Sequence, residues 1–501
     1  MKYYLGIDIG TSGCKAAIFD ITGQMVSFAY REYELISPQS GWAELNTDEV
    51  MECCFRIIKE AASVLPYNSV AGIGISSQGE AFTLIDSKGS ALSNAFVSSD
   101  TRADKYAKEW PESFGARDLY QITGHTPHPM FTLFKILWVK DNMPDIWLKT
   151  SKIHCFEDLL QYRLGIKKPA MGWPLAGRTM LFDVLNHCWS SKILNAAEID
   201  PGLLPGALKS GSVVGYVDKK IARLLNLSDR TVIVTGGHDQ PCSALGAGAI
   251  EPGMAVYATG TVECITPAFA APVFTDDLYH NNFCTYDHAA PGLYATVAFS
   301  LTGGNVLKWF RDQFGSIEIN DATLTDRNPY DLLLEKIPPE PTDLLVLPYF
   351  TPSGTPYFDT RVKGAIMGLD LNTKREEILK ALIEGVAFEI KLNLKILEES
   401  GYSVNELRVI GGGAKSKVLN QLKANVINKP ITLLNVTEAG CMAGAILAAA
   451  AVNRESVSGI SGNWVKVIEK FEPADHNFYN RKFLHYLELY PHMKKLGFYG
   501  Q

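Results

Sequence analysis

The chain has 501 residues, of which 47% are hydrophobic and 20% charged, the composition of an ordinary globular protein. This length is too great for one hydrophobic core and predicts two domains of similar size. The net charge of −7, with no basic run to offset it, argues against nucleic acid as a partner. Any phosphate must therefore be bound by backbone N–H groups and a metal.

Targeting and redox signals indicate a cytoplasmic protein without a membrane partner. Residues 1–5 lead directly into Gly6 with no signal-peptide pattern, and the apolar segment 442–452 is too short to cross a bilayer. The nine cysteines are scattered and form no C-x-x-C pair, which favours free thiols over a zinc site or disulfides.

The first half opens with two antiparallel hairpins. Strands are predicted at residues 4–9, 14–20 and 25–34, with a glycine turn at 10–13. This argues against a Rossmann unit, in which the glycine turn opens a helix. A helix capped near Asn46 should run to about residue 64, and the strands 70–76, 82–85 and 94–97 should continue one sheet. Residues 106–204 are predicted to be mostly helical, with interruptions at prolines.

The second half repeats the beginning of the chain. A strand at 231–234 leads to Gly236-Gly237-His238-Asp239, and strands at 256–259 and 263–267 flank a turn at Gly260-Thr261. This echo of the N-terminal hairpin predicts a duplicated domain. Helices are expected at 306–313 and 375–399, and a strand at 407–410 enters the glycine segment 411–414.

Asp239 is the strongest candidate for chemistry. It lies in sequence between two glycine turns of a size that can bind phosphate, which predicts phosphoryl transfer to a hydroxyl with Asp239 as general base. Asp239 can equally cap a helix at 240–245, and the two roles are compatible because a helix N-terminus keeps a carboxylate ionised. His238 is interpreted as a packed neighbour.

Other polar residues have both a functional and a structural interpretation. Asp8 can hold magnesium beside phosphate-binding N–H groups of residues 11–13, or close a tight hairpin. The turns at 260–261 and 411–414 can approach a nucleotide or be ordinary glycine turns. Glu80 suits a polyol pocket or a solvated turn. Asp100 and Arg102 can bind sugar hydroxyls or form a surface salt bridge.

In this order, the motifs resemble the FGGY family of carbohydrate kinases, within the actin-like ATPase superfamily. The resemblance spans nearly the whole chain. It is carried by the segments 6–15, 72–78, 100–102, 236–239, 260–261, 303–311, 384–387, 411–414 and 438–446.

The resemblance implies an α/β protein with two actin-like (RNase H-like) ATPase domains, at residues 1–247 and 248–501, and a catalytic cleft between them that binds ATP, Mg²⁺ and a sugar. Asp239 would be the catalytic base and Asp8 would lie near the metal. The sugar would contact Gln78, Glu80, Asp100 and Asp239. The nucleotide would contact Thr11, Ser12, Gly13, Lys15, Gly260, Thr261, Gly304, Lys308, Gly412, Gly413 and Ala414. A homodimer is compatible with this scheme.

Departures from the family pattern concern the substrate. Ser98 stands where many members have tryptophan, Glu80 where xylulose kinases tend to have histidine, and Gly79 where glycerol kinases have arginine. Met130 replaces an aromatic residue of glycerol kinases, and segment 172–177 lacks a family acidic position. With residues 41–44, segment 98–102 looks closer to L-xylulose kinase-like members.

The favoured function is phosphorylation of a primary hydroxyl of a small open-chain sugar, such as the ketopentose xylulose. Ribulose, fuculose, gluconate and erythritol are alternative acceptors. An actin-like ATPase should carry an appended partner-binding segment, and a non-catalytic sugar-binding regulator should have lost Asp239 or a phosphate turn. Neither feature is found in the sequence.

Overall fold

The computed structural model describes residues 2–474 and 476–499. The strands of the first half are β1 (Tyr3–Ile9), β2 (Gly13–Phe19), β3 (Met25–Glu32), β4 (Glu44–Leu45), β5 (Val70–Ser77), β6 (Phe82–Ile85), β7 (Ala95–Phe96), β8 (Lys152–Cys155), β9 (Ala170–Gly172), β10 (Phe182–Asp183), β11 (Cys188–Trp189), β12 (Gly206–Leu208), β13 (Val213–Tyr216) and β14 (Val232–His238). Its helices are α1 (Thr47–Ser63), α2 (Asp104–Phe114), α3 (Ala116–Thr123), α4 (Thr132–Asn142), α5 (Pro144–Lys149), α6 (Phe156–Arg163), α7 (Trp173–Gly177), α8 (Ser191–Ala196), α9 (Lys219–Leu224) and α10 (Asp239–Gly246).

The first half is organised around a six-stranded sheet in the order β13-β14-β5-β1-β2-β3. The β1–β2 and β2–β3 pairs are antiparallel, as the hairpin pattern predicts, whereas β5 and β14 run parallel to β1. Helix α1 packs against β2 and β3, and the side chain of Asn46 caps it by accepting N–H bonds from Asp48 and Glu49. The predicted cap is therefore confirmed.

One prediction about this sheet is wrong. Strands β6 and β7 do not continue it but pair with β4 and β8 in a separate four-stranded sheet. The two segments carry the same apolar pattern that a strand of the main sheet would have, because β6 and β7 are also fully buried, here beneath the helices of residues 103–204. Burial pattern alone does not state which sheet a strand joins.

The second half has the same beginning. Its strands are β15 (Met254–Thr259), β16 (Glu263–Phe269), β17 (Tyr286–Asp287), β18 (Tyr294–Ala295), β19 (Ala298–Ser300), β20 (Leu345–Leu347), β21 (Ala365–Met367), β22 (Glu406–Ile410), β23 (Ile431–Leu434) and β24 (Val467–Phe471). Its helices are α11 (Asp276–His280), α12 (Gly304–Phe314), α13 (Ser316–Thr325), α14 (Pro329–Leu334), α15 (Arg375–Glu399), α16 (Lys417–Ile427), α17 (Ala439–Asn453), α18 (Val457–Trp464) and α19 (His476–Lys495).

The topology confirms the duplication. The antiparallel pair β15–β16 corresponds to β1–β2, and β22, parallel to β15, corresponds to β5. Strand β23 continues the sheet in parallel, as β14 does in the first half. Within residues 2–474 and 476–499, no helix combines the length and hydropathy needed to cross a membrane.

Helix α17 belongs to the second half by sequence but packs on the first sheet, across β1 and β5. The backbone of α17 lies directly against the backbone of the strands. A Cβ on Gly444 would lie 2.5 Å from the carbonyl oxygen of Gly74, and one on Gly74 would lie 2.2 Å from the carbonyl oxygen of Gly444. Glycine is therefore required on both sides of this contact, because no side-chain atom fits between the helix and the strands.

This contact gives a stability prediction. Gly444→Ala should lower the free energy of unfolding by about 1–3 kcal/mol, since the new methyl group forces backbone apart in a close-packed layer. Gly462→Ala is the matched control, because Gly462 also lies inside a helix, α18, and its Cβ would meet nothing within 4 Å. The control should be neutral or slightly stabilising. Urea denaturation of both variants measures the difference, and equal stabilities would contradict the contact.

Candidate functional site

Three neighbouring parallel strands bring the two predicted aspartates to one edge of the first sheet. Asp8 on β1 is in register with Ser76 on β5, and Ser76 is in turn paired with Gly237 on β14. Asp239 follows two residues later. The strands are spaced about 4.8 Å apart, so Asp8 and Asp239 lie two strands, about 10 Å, from each other. This is the carboxyl edge of the parallel strands, where α/β proteins place their ligands.

Asp239 is the first residue of helix α10 and its side chain is 29% exposed. The helix begins one residue earlier than predicted, with His238 at the N-cap position. His238 Nε2 lies 3.1 Å from Asp239 Oδ1, and its Nδ1 lies 2.8 Å from the hydroxyl of Tyr286. His238 is thus hydrogen-bonded to Tyr286, and its ring lies beside the Asp239 carboxylate.

Asp8 is partly buried and lies in an excess of negative charge. Burial first, and then the charge of Asp239, raise its pKa to about 6, although a hydrogen bond from Ser76 Oγ at 2.8 Å opposes this. Glu438 adds to the repulsion and Lys15 reduces it. A nearby cation would therefore stabilise the ionised form of the Asp8 carboxylate.

Three hydrogen bonds fix the first glycine turn, residues 10–13. Gln78 Nε2 donates to the carbonyl of Gly10 at 2.9 Å, and its Oε1 accepts from Thr11 Oγ1 at 3.2 Å. Tyr33 also donates its hydroxyl to Gly10 O, at 2.6 Å. Gln78, predicted to contact sugar, therefore uses its amide on the turn itself. Ser12, which follows Thr11 in the turn, is exposed, and Gly13 is the first residue of β2.

Lys15 links this turn to the second half of the chain. Its Nζ lies 2.7 Å from Glu438 Oε2, just before helix α17. Burial lowers the pKa of Lys15, but the hydrogen bond and charge of Glu438 outweigh this and raise it. Lys15 therefore stays protonated beside Asp8.

The second glycine turn forms a corresponding cluster in the second sheet. Gly260 and Thr261 are exposed between β15 and β16, and their carbonyls accept N–H bonds from Gly304 (2.8 Å) and Asn305 (3.2 Å) at the start of α12. One turn further along α12, Lys308 is exposed. The segment 411–414 lies beside the same hairpin, because a Cβ on Gly413 would be 2.9 Å from Thr259 Oγ1. A Cβ on Gly412 would meet nothing within 4 Å, whereas Ala414 is buried.

A contact across the two halves joins the second glycine turn to helix α10. Cys264, just after the second turn, lies with its Sγ 3.3 Å from the side-chain oxygen of Gln240, the residue after Asp239. The second hairpin therefore lies against the start of the helix that carries Asp239.

Glu80 is buried and forms an ion pair that the sequence did not reveal. Its partner is Arg178, which follows helix α7. Glu80 adopts a left-handed backbone conformation with φ +59°, uncommon for a residue with a side chain. The guanidinium of Arg178 also lies 5.0 Å from the ring centre of Phe131 and 5.7 Å from that of Tyr286. The interpretation of Glu80 as a solvated turn residue is wrong.

The structure also corrects the interpretation of Asp100 and Arg102. It is fully buried, and its oxygens accept from Ala43 N at 2.7 Å and from the guanidinium of Arg102. Arg102 in turn stacks 3.8 Å from the ring centre of Trp42. The pair is therefore not a surface salt bridge, and with Asp100 buried and hydrogen-bonded, the geometry lends no support to its predicted contact with sugar.

The family can now be stated. Residues 3–246 match the N-terminal domain of the FGGY family of carbohydrate kinases, and residues 255–452 match the C-terminal domain. The chain belongs to this family. It is therefore an ATP-dependent carbohydrate kinase.

Individual relatives cover almost its full length. A xylulose kinase of Bacillus subtilis is 28% identical over 503 residues, covering 99% of this chain and 98% of its own. A gluconokinase of Bacillus licheniformis is 27% identical over 453 residues, covering 89% and 87%. The fold is also that of a ligand-bound xylulose kinase from Lactobacillus acidophilus, with a TM-score of 0.89, 24% identity and 99% of each chain covered.

Some residues around the site of this FGGY kinase had no signal in the sequence. Arg178 follows helix α7 and Tyr286 lies on β17. No sequence motif surrounds either residue. Gly79 did carry a signal, as a departure from glycerol kinases. The structure gives its reason, because a Cβ there would lie 2.8 Å from the ring of His238.

The raised pKa of Asp8 predicts a stability cost in the ligand-free protein. Because its pKa is higher in the folded state than the ordinary 3.8, the native state binds more protons, and stability falls as the pH rises from about 4 through 6. Asp8→Asn keeps an acceptor for Ser76 but removes the charge. It should raise the free energy of unfolding at pH 7 by up to about 3 kcal/mol, with the gain vanishing near pH 4. Urea unfolding at both pH values tests this, and a variant less stable than wild type at pH 7 would contradict it.

Proposed function

We propose that this kinase transfers the γ-phosphoryl group of ATP to a primary hydroxyl of a small open-chain sugar, with Asp239 as general base. The observation that carries the proposal is the position of the Asp239 carboxylate. It is partly exposed at the N-terminus of α10, beside the ring of His238, and the next residue, Gln240, contacts Cys264 just after the second glycine turn.

The chemistry requires little more from the protein than positioning. The acceptor oxygen forms a bond to the γ-phosphorus while the bond to the β-phosphate oxygen breaks and ADP leaves. The hydroxyl proton passes to Asp239, whose carboxylate lies at the N-terminus of α10 beside the ring of His238. The energetic benefit comes from holding reactants in line and from stabilising charge on the phosphoryl oxygens.

The donor set around Asp8 fits a magnesium ion that accompanies ATP. Among the described residues, no cluster of three or more His, Cys, Asp or Glu side chains could hold a metal alone. This suits Mg²⁺, which usually keeps several waters and shares its coordination with substrate phosphates. When bound, the ion would neutralise phosphate charge, and Asp8 would hold it directly or through water. The exposed backbone of the two turns and of Gly412 would bind the phosphates and nucleoside.

The favoured acceptor is a ketopentose such as xylulose. Support comes from the relatives named as xylulose kinases, at 27–28% identity over nearly the full chain. At such identities other acceptors compete, and the gluconokinase relatives make gluconate the main rival. We also propose a division into domains at residues 247 and 248, supported by the end of α10 at Gly246 and the start of β15 at Met254.

Asp239→Asn tests the mechanism. The variant should bind ATP and sugar with nearly unchanged affinity but lower kcat by about two to four orders of magnitude, the effect of a lost general base. Asp277→Asn is the control, since Asp277 is an exposed aspartate in the first turn of another helix, α11, and should leave kcat unchanged. Steady-state assays of ADP release with D-xylulose measure both. Near-wild-type turnover by Asp239→Asn would remove this residue from the mechanism.

A further inference from the structure

A cavity of about 180 Å³ lies next to the Glu80–Arg178 ion pair, on the side away from Asp239. Both halves of the chain line it. The first half contributes His125, Met130, Phe131 and Arg178, and the second contributes Asn282, Phe299 and other residues of its loops. Its walls thus combine apolar rings with a few polar groups, which is the usual make-up of a site for a small ligand.

His125 is the polar group that needs a partner. It is 1% exposed, and neither of its ring nitrogens has a well-formed hydrogen bond. The Gly177 backbone lies near enough to interact weakly, but a contact to a carbonyl uses only one nitrogen, as a donor. The other nitrogen remains a buried acceptor, which is costly unless a ligand donates to it.

The cavity is close to electrically neutral. The charge of Arg178 is matched by Glu80 in direct contact. Burial first, and then the charges of Arg178 and His238, hold the pKa of His125 well below its usual 6.5, so the imidazole is uncharged. A carboxylate in this cavity would give up its water without a free cation to replace it, and it would face Glu80.

We infer that this cavity binds the hydroxyl-bearing end of the acceptor that is remote from the phosphorylated hydroxyl, and that it selects neutral ketoses over sugar acids. The inference rests on the proposed function, because it places the reacting hydroxyl at Asp239. The ring of Tyr286 contacts both His238, beside Asp239, and His125, which lines the cavity, so the two places are linked through one aromatic ring. A ligand hydroxyl would donate to His125 and accept from Arg178.

Binding should be measured in the Asp239→Asn background, so that ligands bind without turnover. Calorimetry with D-xylulose, D-ribulose and D-gluconate should show tighter binding of a ketose than of gluconate. His125→Phe should weaken ketose binding about tenfold, the loss of one buried hydrogen bond, and leave ATP binding unchanged. His288→Phe is the control, as a buried histidine outside the cavity. Glu80→Gln should shift the preference toward gluconate.

The outcomes separate two failures. If wild type phosphorylates none of the three acceptors, the proposed function is wrong. If wild type is an active kinase but prefers gluconate, or if His125→Phe binds ketose as tightly as the parent protein, the cavity is filled only by water and the inference is overturned.

A second inference concerns Glu157 on helix α6, which is fully buried. Its Oε1 accepts the N–H of Gly236 at 2.8 Å, and its Oε2 accepts that of Gly172 at 3.1 Å. Among the described residues, no Lys, Arg or His forms an ion pair with it within 4.0 Å. A buried carboxylate without a cation is expensive, so its hydrogen bonds to these two backbones are important.

The two backbone segments that Glu157 binds lead to two residues of the site, Asp239 and Arg178. Gly236 precedes Gly237, His238 and Asp239 on β14, while Gly172 precedes helix α7, which leads to Arg178. The strands are in close contact here, since a Cβ on Gly172 would lie 2.2 Å from the carbonyl oxygen of Gly236.

We propose that Glu157 is a positioning residue that fixes Asp239 relative to Arg178. Glu157→Gln keeps the shape but places an N–H₂ group against an N–H donor. It should lower kcat about 10- to 100-fold, the cost of a displacement near 1 Å, with KM for ATP unchanged. Glu389→Gln is the control, because Glu389 is also fully buried and accepts two hydrogen bonds, from Tyr349 and Tyr486.

Both variants should lose stability, but only Glu157→Gln should lose kcat. An unchanged kcat in a folded Glu157→Gln variant would reduce Glu157 to a structural role and overturn the proposal. If that variant does not fold, Glu157→Asp, which keeps the carboxyl group but shortens its reach, gives the same comparison of kcat with KM for ATP.

Discussion

The site depends on the direct backbone contact between helix α17 and the first sheet. Gly74 and Gly444 let the helix approach β1 and β5 without intervening side chains. As a result, the start of α17 reaches the first glycine turn, where Glu438 pairs with Lys15 and Gly440 lies against the carboxylate of Asp8. A residue near position 440 thereby becomes part of a site formed by residues near position 10.

The charges in the cleft are arranged for ligands rather than for stability. Asp8, Asp239 and Glu438 repel one another, and Lys15 compensates only in part. This repulsion makes the unliganded protein less stable than it could be, which is common where a site must bind a cation and anionic phosphates. Some buried charges elsewhere are paired, as in Asp100 with Arg102 and Glu263 with Lys423.

The surroundings of Asp239, the proposed base, are built from polar groups of distant parts of the chain. The ring of His238 lies beside its carboxylate, Tyr286 is hydrogen-bonded to His238, and Glu157 is hydrogen-bonded to the preceding strand. Each partner is buried, so each hydrogen bond is both stronger and more costly to lose than it would be in water. Such a network keeps one geometry of the base, and general-base catalysis requires that geometry before it requires any particular pKa.

The sequence by itself determined the local elements and the positions of the two glycine turns. Helix α15 has the predicted bounds, the cap of α1 lies at Asn46, and the repeat of β1–β2 in β15–β16 follows from strand–turn–strand patterns, because these signals depend on residues a few positions apart. Only the tertiary structure decided that β6 joins a separate sheet, that Asp100 is buried against Arg102, and that Glu80 pairs with Arg178. Those facts depend on contacts between residues far apart in the chain, as between positions 80 and 178. Local spacing carries no information about such pairs until the chain is packed.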